Sequence, residues 1–476
     1  MSLFKNSQDL KSVGRLTVSF CLAFSGVAIA QQSTPTTPIE NERPSATFQA
    51  GPVALTPGGF VEFTTIYRAR NQTADIGSSF GAIPFPNNNN YKVSEFRQTE
   101  RNSRFSLLAQ GPSDDQNQVA GYLETDFVSA GTSSNSGESN SYTLRVRQLY
   151  LNWTRPDWGW AITAGQAWSM ATMLRRGLAP RDEDIPLVDD GQYVSGFVWT
   201  RQSQLRVVKT FNSSIALGLS LESPQNVVKG VAPSGTTATN PGGAGMNNST
   251  NYSTDIAPDA IFKLAYDPRF GHYEIYSLTR FLHDRAPSTP GVLSSEGNHT
   301  TVAQSIGGGF IVPLWPGRVD LHASGLVGHG NGRYGSAQLG DSTYNTTDGS
   351  ISALHQSQGL LGLVGHATRD LDFFAYHGYE DQRAAFNLVP QDNTACNTPY
   401  ASVSALPSAA GCGGVGIVRH YVGGFLWKFY KGRLGYIHGG PEIEYLTNTT
   451  YTARNGTIGR TNDTMFYLTV RYFPFQ

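Results

Sequence analysis

From Phe60 onward the chain alternates apolar and polar residues with a period of two. Arg318, Asp320, His322 and Ser324 interleave with Val319, Leu321, Ala323 and Gly325. Ala260, Phe262, Leu264 and Tyr266 interleave with Ile261, Lys263 and Ala265. Val119, Gly121, Leu123 and Phe127 do so with Ala120, Tyr122, Glu124 and Asp126, and Phe466, Leu468, Val470 and Tyr472 with Tyr467, Thr469 and Arg471. Successive side chains on a strand point to opposite faces, so each stretch predicts a strand with one apolar and one wetter face.

The connections alternate too. Short turns of Gly, Pro, Asp or Asn fall at 111–118, 155–159, 212–214, 267–271, 314–317, 368–370 and 431–432. Between them lie longer polar stretches at 70–94, 128–142, 166–195, 223–258, 283–302, 330–358, 381–419 and 448–462. Strict alternation of short and long predicts an all-β fold: an antiparallel up-and-down transmembrane β-barrel of about sixteen strands. A soluble β-sandwich alternates as well. Against it, aromatic residues gather at the short turns: Trp153, Trp158, Trp160, Phe211, Tyr266, Phe270, Trp315, Trp427, Phe429 and Tyr430. Such a girdle marks a membrane interface. The second strand face carries Arg145, Arg147, Arg318, Asp320 and His322, which suits a water-filled lumen rather than a packed core. The chain ends in a strand closing on Tyr472, Phe473 and Phe475.

Composition agrees. The 476 residues include 52 Gly and 11% aromatics but only 15% charged residues. The chain is too polar for a bundle of membrane helices and too aromatic for a disordered polyelectrolyte. A formal charge of −1 gives no footprint for nucleic acid. Lys5, Lys11 and Arg15, then a mostly apolar run to Val27 and Ala28-Ile29-Ala30, predict a signal peptide over 1–30. Residues 31–57 read as a Thr/Pro-rich leader and 58–476 as the barrel. Cys396 and Cys412 suggest a disulfide in an exported chain; two thiols alone do not complete a metal site.

Candidate chemistry concentrates in the third long connection, 166–195. It holds Arg175, Arg176, Arg181, Asp182, Glu183, Asp184, Asp189 and Asp190. One reading is a solvated surface loop. The favoured one is a constriction loop folded into the lumen, because a barrel this wide needs a charged narrowing to discriminate. Register puts Arg104, Arg145, Arg147 and Arg206 on the lumen side. They either line an anion path or pair with Glu124 and Asp126 to brace the wall; both readings stay open. His322 two residues from Asp320 reads as a hydrogen-bonded wall pair. His283-Asp284 invites comparison with outer-membrane proteases but has no identifiable partners, so no enzyme is expected. No glycine-rich phosphate loop follows a strand, and no cofactor is expected.

Four motifs in order carry a resemblance: Glu100-Arg101-Asn102-Ser103-Arg104-Phe105, then Gly121-Tyr122-Leu123-Glu124-Thr125-Asp126-Phe127, then Leu144-Arg145-Val146-Arg147-Gln148, then Ala164-Gly165-Gln166-Ala167-Trp168-Ser169. Over this first third of the barrel the sequence resembles the DcaP-like porin family. The resemblance implies a sixteen-stranded homotrimeric channel of the outer membrane that prefers small anionic solutes such as dicarboxylates, with Arg104, Arg145 and Arg147 in the lumen. Its partners would be small hydrophilic solutes and membrane lipid. The alternatives are a phosphate- or sugar-preferring porin and a non-conducting barrel acting in adhesion.

Overall fold

A computed structural model describes residues 47–114, 116–128, 137, 141–229, 236–241, 251–287, 296–344, 350–383, 414–452 and 458–475. The expected signal peptide, most of the leader, and Cys396 and Cys412 lie outside these residues. Sixteen strands close into one antiparallel barrel. They are β1 (Val53–Arg68), β2 (Glu95–Thr99, resumed at Arg104–Gln110), β3 (Gln118–Asp126), β4 (Arg145–Arg155), β5 (Trp160–Trp168) and β6 (Arg201–Asn212). Then follow β7 (Ile215–Glu222), β8 (Asp259–Tyr266), β9 (His272–Pro287), β10 (Glu296–Trp315) and β11 (Val319–His329). The last are β12 (His355–His366), β13 (Leu371–Gln382), β14 (Val415–Gly432), β15 (Gly435–Thr452) and β16 (Ile458–Phe473).

Each strand pairs with its sequence neighbours, and β1 closes the ring by pairing with both β2 and β16. Among the described residues the barrel wall has no open edge to expose unpaired backbone, which is the condition for strands to cross lipid. Six of the seven short turns overlap the stretches the sequence predicts; the last, expected at 431–432, falls at 433–434 because Gly432 still pairs with Gly435. Several boundaries differ, three of them most. β1 begins at Val53, and Phe48–Ala50 forms a hairpin with its first residues, so strand reaches into the segment expected as leader. The stretches 283–302 and 448–462, expected as long loops, are largely strand: β9 and β10 pair up to Pro287↔Glu296, and β15 and β16 up to Thr452↔Ile458.

The alternation seen in the sequence is the two faces of the wall. Phe63, Phe105, Leu149, Leu205, Leu219, Phe262, Ile275, Ile306, Phe373, Ile443, Phe466 and Leu468 point outward and are exposed. Contiguous apolar surface on this scale is stable only against another apolar phase. Trp158, Phe211, Tyr266, Phe270, Trp315, Trp427 and Phe429 cap this belt, exposed at the short-turn rim. No helix among the described residues is long and apolar enough to cross a membrane; the strands do so.

The inner face is drier than a fully water-filled lumen, and this corrects the sequence reading. At least three connections fold inward among the described residues, where one was expected, and Val228 and Ala238 of residues 223–258 pack with Leu282, Ala303 and Tyr344 besides. Ile76, Phe80 and Ile83 from residues 69–94 pack with Ala337 and Leu339 from residues 330–354 against Ile66, Val418, Leu446 and Met465 of the wall. Val188, Val194 and Phe197 from the third connection pack against Leu360, Val364, Phe374, Val422 and Leu426. The hydrophobic core therefore lies inside the barrel, between the loops and most of the wall: Met170 and Val198 pack on Ile261, Leu278 and Leu326, and Leu174 and Leu178 on Val208, Ala216 and Ala265. Inward residues of β2 to β4 such as Arg104, Ser106, Glu124 and Asn152 keep partial exposure.

The outer belt sets a measurable cost. Leu468→Arg places a charge on the lipid face of β16. It is expected to lose about 2–4 kcal/mol of folding free energy in a bilayer, read from urea titrations in lipid vesicles. Thr450→Ser on the inner face of β15 serves as the near-neutral control.

Candidate functional site

The third connection, residues 169–200, lies across the lumen rather than on the surface. It first forms a small hairpin: Leu174 bridges Glu183, and the Arg175 N–H donates to the Asp182 carbonyl at 2.7 Å. The hairpin tip reaches the short-turn rim, where the Gly177 N–H donates to Asp267 Oδ2 at 2.9 Å. The chain then crosses to the opposite wall, passes the β1–β16 seam and returns to β5 and β6.

An irregular segment away from water leaves backbone N–H groups that need acceptors. Wall side chains supply them. The N–H groups of Met170, Leu174, Asp189 and Gly196 donate to carboxylates of Glu222, Glu274, Glu442 and Glu380 at 2.8, 3.1, 3.0 and 2.8 Å. The Ser195 N–H meets His420 Nδ1 at 3.3 Å. Lys263 answers loop carbonyls, donating to those of Met170 and Thr172 at 2.9 Å each. Close packing completes the seat. A Cβ added at Gly378 on β13 would stand 1.8 Å from the Ser195 carbonyl oxygen.

These anchors sort the candidate residues. Asp184 accepts from or pairs with His322 Nδ1 at 2.8 Å. Asp189 pairs with Arg471 at 3.2 Å. Asp190 accepts from the Tyr467 hydroxyl at 2.7 Å and the Ser78 N–H at 3.1 Å. Glu183 is buried at the hairpin base. These acids hold the loop in place. Asp182 is half-buried, and burial pushes its carboxyl up despite the Arg175, Arg181 and Arg176 charges nearby. Arg175, Arg176 and Arg181 sit on the hairpin tip without an ion pair among the described residues; Arg176 and Arg181 are exposed, and Arg181 lies 5.0 Å over the Tyr122 ring.

On the wall, the expected arginines divide. Arg145 grips Asp126 in a bidentate pair at 2.8 and 2.7 Å, with its side chain 32% exposed. Arg147 is buried: Nε donates to Glu124 at 2.5 Å, Nη1 to Asp126 at 2.8 Å and Nη2 to the Tyr193 hydroxyl at 3.0 Å. Arg104 donates to the same hydroxyl at 3.2 Å and has no carboxylate partner among the described residues. Arg206 faces inward as its register predicts but lies under the loop, bonded to Gln204 and the Trp168 carbonyl at 3.0 and 2.6 Å. It is a brace, not part of the open wall.

Asp320 and His322 do not pair with each other. Each bonds another element, Asp320 with His366 at 3.4 Å and His322 with Asp184. His283 and Asp284 point to opposite faces: His283 contacts Thr300 on the neighbouring strand, while the buried Asp284 lies 3.4 Å from His299. Sequence reading passed over two central residues, Tyr193 and Arg201. Tyr193 joins Trp168 and Phe197 in an aromatic cluster with centroids 5.2–5.9 Å apart, and Arg201 lies 4.5 Å over Trp168. The available signal was the apolar content of the third connection, from Met170 to Trp199, unusual for a surface loop.

Comparisons with known proteins agree with this architecture. The structure is similar to the outer membrane channel DcaP of Acinetobacter baumannii, with TM-score 0.62 and 17% identity over 90% of this chain and 99% of that one. It also aligns with OmpT of Vibrio cholerae (TM-score 0.47, 9% identity, 90% and 99% coverage) and an anion-selective porin from Comamonas acidovorans (0.47, 9%, 88% and 99%). No protein-family model matches the sequence, and no curated protein matches it. The DcaP likeness establishes the fold as a porin-type barrel, and the closed wall with its apolar belt places the chain in the outer membrane.

Arg147 is the keystone of the wall cluster. Arg147→Ala leaves Glu124 and Asp126 short of their buried cation and is expected to destabilise the barrel by about 3–5 kcal/mol. Arg145→Ala, at a wetter position where Arg147 still pairs Asp126, is expected to cost under about 1 kcal/mol. Denaturant unfolding in vesicles separates the two.

Proposed function

We propose that the chain is a diffusion channel of the outer membrane for small hydrophilic solutes, and that it favours anions, carboxylates foremost. One observation carries the reading. The acids of the lumen are consumed: Glu222, Glu274, Glu380 and Glu442 by loop N–H groups, and Glu124 and Asp126 by Arg147 and Arg145. The unpaired charges left with solvent access along the open wall are mostly arginines: Arg104 on the wall and Arg176 and Arg181 on the hairpin, with the half-buried Asp182 beside them. A guanidinium stays charged at every physiological pH and presents a planar fork to a carboxylate. Fixed charge of one sign in a narrow, low-dielectric passage concentrates the opposite ion. No covalent chemistry is part of the mechanism. The homotrimer implied by the family resemblance belongs to this reading.

Planar-bilayer recordings in a salt gradient test it. The reversal potential is expected to show anion preference. Arg104→Gln combined with Arg181→Gln is expected to cut the anion-to-cation permeability ratio several-fold. Cation preference in the unmodified channel, or no change in the double variant, overturns it.

A further inference from the structure

Tyr193 is bonded in a way that ordinary tyrosines are not. Its hydroxyl lies 3.0 Å from Arg147 Nη2 and 3.2 Å from Arg104 Nη2. Guanidinium nitrogens only donate, so the phenolic oxygen accepts both bonds. No acceptor for its own proton is found among the described residues. The ring is buried between Trp168 and Phe197.

Its backbone is a second, independent sign. Tyr193 has φ of 68°, in the left-handed region that costs a non-glycine residue roughly 1–2 kcal/mol. Strain of this kind persists only where the surroundings impose it, and it gathers at functional positions. Here the Tyr193 N–H is tied to the Asp190 carbonyl at 2.9 Å and the following Val194 is fully buried, so the turn aims the phenol at the wall.

The charges facing it do not balance. Arg104 comes from β2, Glu124 and Asp126 from β3, Arg145 and Arg147 from β4, and Arg201 from β6 beside Trp168 of β5. His420 of β14 approaches the adjacent Ser195 N–H, and Asp190 is engaged by Tyr467 of β16. Four guanidinium groups therefore face three carboxylates, and the third of these, Asp190, is turned away toward Tyr467 and Ser78. A buried excess of like charge is costly, and the group that relieves it most cheaply is an acid that can ionise among them.

We propose that Tyr193 is the switchable counter-charge of the arginine wall: its phenol loses its proton to water well below the ordinary tyrosine range, and the phenolate cancels one positive charge at the narrowing. The O–H bond breaks, the proton leaves to bulk solvent, and the two guanidinium bonds to the oxygen become charge-assisted. The proposal rests on the anion-channel reading and deepens it. The passage is most anion-attracting when Tyr193 is protonated, and less so once it ionises.

The test is a 295 nm absorbance titration of the full-length folded protein, unmodified and Tyr193→Phe, paired with reversal potentials over the same pH range. The expected difference between the two is one tyrosinate appearing below about pH 9, against roughly 10 for an ordinary tyrosine. Anion preference is expected to fall across the same step in the unmodified channel alone. A difference step at pH 10 or above overturns the proposal. Early ionisation with unchanged anion preference overturns the counter-charge role of Tyr193 and leaves the anion-channel reading standing; absence of anion preference at every pH overturns that reading. Should Tyr193→Phe fail to fold, Arg104→Gln replaces it: the early tyrosine step must rise by about one pH unit, and an unmoved step overturns the proposal.

Discussion

Backbone polar groups removed from water must be paired, and this constraint organises the molecule at two levels. In the wall it forces closure. β1 bonds β2 on one side and β16 on the other, so no strand faces lipid with open N–H and C=O groups. Inside, the same constraint acts on chain that has no ladder to join. A loop crossing the lumen can be dry only if the wall answers its N–H groups, and inward glutamates on β7, β9, β13 and β15 do so.

That arrangement changes what a lumen charge means. In an open pore, each inward Glu or Arg would contribute to the field felt by a passing ion. Here Glu380 receives both the Gly196 and Ala337 N–H groups at 2.8 Å, joining the third connection and residues 330–354 to one side chain. Arg280 pairs with Asp259 and Asp341 at 3.1 and 2.9 Å and fastens the 330–354 segment in turn. Tyr334 donates to the same Asp259 at 2.9 Å. These groups are structural mortar. What remains for solutes is the minority of charges that bonding leaves with solvent access.

The barrel was legible in the sequence because two simple periods coincide in it. Strands between apolar lipid and a polar or loop-covered interior must alternate, and hairpins with short turns must place those turns at one rim. Legibility failed where one of the two media changes. The upper parts of β9 and β10 carry Arg285, Asn298 and Thr300 outward, and polar outward residues erase the alternation, so 283–302 read as loop. The inward loops failed for the opposite reason. Ile76, Phe80, Ile83 and Leu339 are apolar but follow no period, and irregular backbone has none to give. Register placed Arg206 on the correct face, yet a face says nothing of what covers it. Likewise Asp320 and His322 share a face, but partners on other elements take both.

The wall cluster shows how the loop and the pore depend on each other. Arg147 spends its three donor edges on Glu124, Asp126 and Tyr193, so it belongs to wall and loop at once. Without the wall acids, its charge would not be tolerated at 3% exposure. Without the loop, its third edge and that of Arg104 would face water and the aromatic cluster of Trp168, Tyr193 and Phe197 would not form. Position and charge are thus set by one set of bonds. A change that loosens the loop must also redistribute the field along the open wall, because the residue that carries the contact carries the charge as well.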